Sequence, residues 1–138
     1  MASVSAQGKV LRTAVKQAAE VTQPEVRHRP IDMVHLSRQT LGDAGLEGEV
    51  LRLFDQMVHI YFGRLEASTS PEDQLRHLHT IKGAAGGIGA FMLADLARTA
   101  EAEVRQSQAI TAERVSDIGM AVQEVSSFIG DILVDDVA

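Results

Sequence analysis

Ser70-Pro71-Glu72-Asp73-Gln74-Leu75-Arg76-His77-Leu78-His79-Thr80-Ile81-Lys82-Gly83-Ala84-Ala85-Gly86-Gly87-Ile88-Gly89 is the stretch that decides the fold. Its first residues are helix-start chemistry. Ser70 can cap, Pro71 suits the first helical position, and Asp73 occupies the capping-box position. The period then is helical. With Leu75 at zero on a wheel, Leu78, Ile81, Ala85 and Ile88 gather at roughly 220–300°, the arc that faces a core. The glycines at 86, 87 and 89 should end or bend this helix. The same glycines fit a Gly-xxx-Gly-x-Gly loop of the dinucleotide-binding kind, but that loop must follow a buried strand. Here a helical pattern precedes it, no Val/Ile-rich strands alternate with helices, and Tyr61 has no Lys four residues on.

On the same wheel His79 falls near roughly 40°, off the apolar arc, with Lys82 near 340°, Gly83 near 80° and Gly86 near 20°. An exposed imidazole therefore has a cation and two positions without bulk as surface neighbours. That is the chemistry of accepting and releasing a phosphoryl group. A ring nitrogen is open to a donor, Lys82 offers a point charge to phosphate oxygens, and Gly83 and Gly86 leave room for a partner. A glycine costs a helix about 1 kcal/mol relative to alanine, so several together need a reason. Lys82 should tune transfer, since one exposed charge pair contributes only roughly 0.2–1 kcal/mol. Arg76 lies one turn back on the same side as a surface charge that a docking partner can meet. His77 falls near roughly 200°, closer to the apolar arc, and is read as a half-buried structural residue. His77 and His79 point about 200° apart and cannot share a metal ion.

His79-Thr80-Ile81-Lys82-Gly83 followed by small residues resembles the signature of the histidine phosphotransfer (HPt) domains of bacterial-type phosphorelays. The resemblance implies an all-α, antiparallel four-helix bundle with His79 as phosphoacceptor and Lys82 stabilising the phosphate. It also implies docking through Arg76, Gly83 and Gly86. Partners would be response-regulator receiver domains, a sensor histidine kinase, or both. The chain would carry no cofactor of its own, Mg²⁺ being held by the receiver's acidic pocket, and would not phosphorylate itself. Many family members place a polar side chain of the next helix near the histidine; Arg98, Glu101 and Gln106 are the candidates here. A helical scaffold that binds signalling proteins without taking phosphate is the reading from another class.

The remaining chain agrees in composition. Its 138 residues suit one core, and 45% apolar residues with one Tyr, four Phe and no Trp favour an aliphatic helical interior. The net charge of −6 argues against nucleic acid. The absence of Cys excludes disulfides and thiolate metal sites and suits a cytoplasmic location. No apolar run is long enough to span a membrane, and a monomer is expected.

Residues 1–30 stand apart, with five Lys/Arg against two Glu. Val10, Leu11, Ala14, Val15, Ala18 and Ala19 have helical spacing, which Thr22-Gln23-Pro24 should end. This is a basic arm or extra helix preceding a bundle domain over residues 31–138. Within that domain a short helix is predicted near Asp32–Leu41. Longer ones follow near Leu46–Ala67, after Ser70, over Phe91–Gln106 and from Thr111 onward. The second of these shows two apolar stripes, Leu46/Val50/Leu53/Met57/Tyr61/Leu65 and Leu51/Phe54/Val58/Phe62, so it should be covered on two sides. His28, His35 and His59 read as ordinary surface or boundary residues.

Overall fold

The computed structural model describes residues 29–137, the last three by their backbone alone. The helix expected over Val10–Ala19 lies outside the described residues. Those that are described form α1 (Met33–Gln39), α2 (Ala44–Ala67), α3 (Pro71–Ile88), α4 (Phe91–Ser107) and α5 (Ala112–Val137), with no strand among them. Each helix but α4 starts on a side-chain cap. Asp32 accepts from the Val34 and His35 amides, Asp43 from Leu46, Ser70 from Asp73, and Thr111 from Arg114. Helices α2 to α5 pack in a ring, each against its sequence neighbours, and α5 closes on α2. Connections of two to four residues make this an up-down-up-down four-helix bundle, with α1 laid against α3.

The core runs the length of the ring. Leu78, Ile81 and Ala85 of α3 and Ala97, Ala100 and Val104 of α4 are all fully buried, as are Ile118 and Ile129 of α5. In α2 the buried face is Leu51, Phe54, Val58 and Leu65, while Leu46 and Leu53 are 43% and 66% exposed. Two-sided cover of α2 is therefore not found among the described residues. The physical reason is the ring itself, which gives α2 only α3 and α5 as neighbours. Phe62 is half-buried against Gly119, where a Cβ would stand 2.8 Å from its ring. Gln74, the buried polar residue of α3, accepts from the Ile110 amide at 3.1 Å and so pins the α4–α5 turn.

One expectation needs correction. Gly86 and Gly87 do not end α3, which runs through them to Ile88. Gly89 ends it, in the left-handed region at φ +90°, and a Cβ there would stand 2.8 Å from the Asp32 carbonyl oxygen. The Asp32 amide donates to the Gly89 carbonyl at 2.9 Å, so this glycine seats α1 on the end of α3. His35 is half-buried and His59 exposed, in line with their reading as boundary and surface residues, while His28 lies outside the described residues. His35 Nε2 is 3.1 Å from the Gly87 carbonyl, tying α1 to α3, and His59 Nε2 is 3.0 Å from Ser126 Oγ, tying α2 to α5.

A further tie joins α4 to α5. Arg114 donates to Glu103 through Nε at 3.2 Å and through Nη2 at 2.8 Å. These hydrogen bonds hold the Glu103 carboxyl below the usual carboxylate range and push the Arg114 guanidinium up. A depressed carboxyl stabilises the fold above its unfolded-state pKa, and that contribution disappears as pH falls through the folded-state value. Arg114→Met should therefore lower stability at neutral pH, with the gap to wild type closing in acid; urea melts across pH test this. Gly89→Ala should lose about 1–3 kcal/mol from backbone strain alone. Gly63→Ala, in open space on α2, should hold or gain up to about 1 kcal/mol. Thermal melts of the two alanine variants give the comparison.

Candidate functional site

The site is built where α3 meets α4. The α4 residues Ala94, Ala97 and Glu101, spaced by three and four, share one face of that helix and are all buried. The small side chains let α4 come close to α3, and Glu101 is carried in with them. Its side chain is 2% exposed, which is costly for a carboxylate unless cations meet it. Two do. Lys82 Nζ from α3 is 2.9 Å from Oε1, and Arg105 Nη2, one turn on in α4, is 3.2 Å from Oε2. The lysine approaches Oε1 as a point charge without good hydrogen-bond direction, so that buried oxygen has no aligned donor.

The imidazole of His79 stands over this cluster. Its side chain is 74% exposed, and its Nδ1 is 3.9 Å from Glu101 Oε2, beyond hydrogen-bond length but within a small rotation of it. With Nδ1 turned toward the carboxylate, the opposite ring nitrogen faces solvent. Cβ atoms built at Gly83, Gly86 and Gly87 meet nothing within 4 Å, so the surface C-terminal to His79 on α3 is open. Arg76 lies one turn before His79, exposed, with Nη1 3.4 Å from Asp73. His77 is half-buried, its ring centroid 5.9 Å from that of Tyr61.

Of the residues singled out from sequence, the structure brings His79 and Lys82 together around Glu101. It leaves Gly83 and Gly86 as open surface and keeps Arg76 at the edge, paired with Asp73. Lys82 points to Glu101 and not to open solvent. Among the three candidates on the next helix, Glu101 is the one in range, while Arg98 is held by Asp95 at 2.7 Å. Arg105 was not anticipated. Its signal was the Glu101–Arg105 spacing of four, the separation at which helical side chains meet, which gains meaning only once Glu101 is known to be buried. No group of three or more His, Asp or Glu among the described residues could hold a metal ion.

The family model described as the Hpt domain matches residues 49–128, more than half of the chain and inclusive of every residue of the cluster. The crystal structure of histidine phosphotransferase ShpA from Caulobacter crescentus is similar with a TM-score of 0.57 and 23% identity, covering 79% of this chain and 99% of that one. At that identity the likeness speaks for a shared fold. No curated protein matches the sequence.

Removing both cations would leave Glu101 buried and unpaired. Lys82→Met/Arg105→Met should lose about 3 kcal/mol, the scale for breaking a buried ion pair. Either single variant, with one cation retained, should lose less than half of that. Urea titration of the three variants at neutral pH is the measurement.

Proposed function

The chain belongs to the Hpt domain family, and from that premise we propose that His79 is the residue that carries the phosphoryl group in a phosphorelay. It receives phosphate from the aspartate of a response-regulator receiver domain and passes it to another, or is charged by a sensor kinase. The observation that carries this reading is one exposed imidazole whose Nδ1 lies 3.9 Å from a buried carboxylate, with glycine-lined open surface beside it.

The chemistry follows from the arrangement. Glu101 favours the tautomer with the proton on Nδ1, so the lone pair on Nε2 faces outward. That lone pair attacks phosphorus of the aspartyl phosphate. The N–P bond forms as the P–O bond to the aspartyl carboxylate breaks, and the carboxylate leaves with the electron pair. The imidazolium character that develops is balanced by Glu101, which positions the ring and touches neither phosphorus nor leaving group. Lys82 and Arg105, held at the same carboxylate, stand ready to turn toward phosphoryl oxygens. They also keep Glu101 from repelling the phosphate. Arg76 meets the partner at the edge of the docking face, and Mg²⁺ is supplied by the receiver's acidic pocket. The chain acts as a phosphocarrier with no kinase activity of its own.

The test is incubation with phosphorylated receiver domains, followed by the stability of the label. An acid-labile, alkali-stable label that is lost in His79→Gln supports the assignment. Uptake at the wild-type rate by His79→Gln would move the acceptor to another residue, and absence of any uptake would leave a non-phosphorylated scaffold. Lys82→Ala should slow transfer without ending it. Gly83→Leu and Gly86→Leu should remain folded and lose transfer, because each fills open surface beside the imidazole and replaces glycine with a better helix former. Normal transfer by both folded variants would place the docking face elsewhere.

A further inference from the structure

Helix α2 carries an apolar stripe that the bundle does not use. With Leu46 at zero on a wheel, Leu46, Val50, Leu53, Met57 and Ile60 fall at roughly 320–40°, while the buried Leu51, Phe54, Val58 and Leu65 fall at roughly 80–140°. Leu53 and Ile60 are 66% and 54% exposed and Leu46 43%, with Val50 and Met57 half-buried at the edge of the core. The five are spaced four, three, four and three, the repeat at which one helix lays a continuous seam against another. Charge is gathered at the two ends of the stripe. Glu49 and the cap Asp43 border its N-terminal end. Arg64 closes the other end one turn past Ile60, its guanidinium 5.0 Å over the Tyr61 ring.

We propose that this stripe is the seam of a homodimer in which α2 packs antiparallel against α2 of a second copy, in place of the monomer expected from sequence. The choice of a second copy rests on self-complementarity, because an isologous interface must match itself across a two-fold axis. With that axis between Leu53 and Met57, Leu53 of one copy faces Met57 of the other, Val50 faces Ile60, and Leu46 faces Arg64. Each Arg64 then stands within one helical turn of Glu49 and Asp43 of the other copy, at both ends of the seam. A parallel pairing would set Arg64 against Arg64 and Glu49 against Glu49, so the charges select the antiparallel form. A different partner with a face of one sign would meet like charge at one end or the other. The cluster around His79 belongs to α3 and α4, so each copy carries a complete site.

Sedimentation of the full chain should show a dimer at micromolar concentration. Leu53→Glu, at an exposed position, should stay folded and sediment as a monomer, whereas Met120→Glu, similarly exposed but on α5, should remain dimeric. The chain has no cysteine, so single substitutions report the orientation of the pair. In the antiparallel seam Gln56 meets its own counterpart across the axis, while the two Leu46 residues stand about 27 Å apart. Gln56→Cys should therefore crosslink through a short bismaleimide at least roughly tenfold faster than Leu46→Cys. A monomeric wild-type chain overturns the proposal; if Leu53→Glu then also loses phosphate uptake from receiver domains, the stripe belongs to the receiver. Faster crosslinking at Leu46→Cys overturns the antiparallel seam. Dissociation by Met120→Glu with Leu53→Glu still dimeric also overturns it, by moving the interface to α5.

Discussion

The close approach of α3 and α4 sets the position of everything at the site. It rests on side-chain size. Ala85 on α3 faces a run of small residues, Ala90, Ala94 and Ala97, at 0–4% exposure. A larger residue anywhere in that seam would push the helices apart, since a packed interior has no free volume to absorb it. Separation would first be felt at Glu101, which must cross from α4 to meet Lys82. The small residues around the motif thus serve two surfaces. The inward ones bring a carboxylate under the imidazole, and the outward glycines clear the approach above it.

Glu101 itself is a buried carboxyl group whose polar atoms the fold must satisfy. Its two cations come from different helices and are exposed to different degrees. A buried ion pair of this kind is weak evidence for stability but good evidence for fixed geometry. The cluster holds the ring environment in one arrangement without committing the cations permanently, because neither forms a rigid bidentate pair with the carboxylate.

Much of this was legible in the sequence for local reasons. Ser70-Pro71 marks the start of α3, and the period of Leu78, Ile81, Ala85 and Ile88 by itself places His79 outward. What stayed hidden depended on neighbours. Nothing local in Leu46 and Leu53 distinguishes them from Leu51 and Phe54; only the position of α2 in the ring decides which stripe is buried. Gly89 looks like the other glycines of its motif, yet it alone has a positive φ among them and contacts α1. Glu101 could be named as one of three candidates but not chosen, because the choice depends on the rotation of α4 about its axis. Arg105 was invisible for the same reason.

The glycines at 83, 86 and 87 have a consequence for how the protein holds itself together. Each lowers the intrinsic helicity of α3 by about 1 kcal/mol. The C-terminal half of that helix would have little tendency to form in an isolated peptide. Its order is conferred from outside, by α4 along its buried side and by α1 fastened over its last turn. The segment next to His79 is therefore a part of the bundle whose local unfolding free energy is sensitive to events at a distance. A perturbation that loosens α1, well away from His79, would be felt at the site as a change in cooperativity of the whole α1–α3–α4 unit.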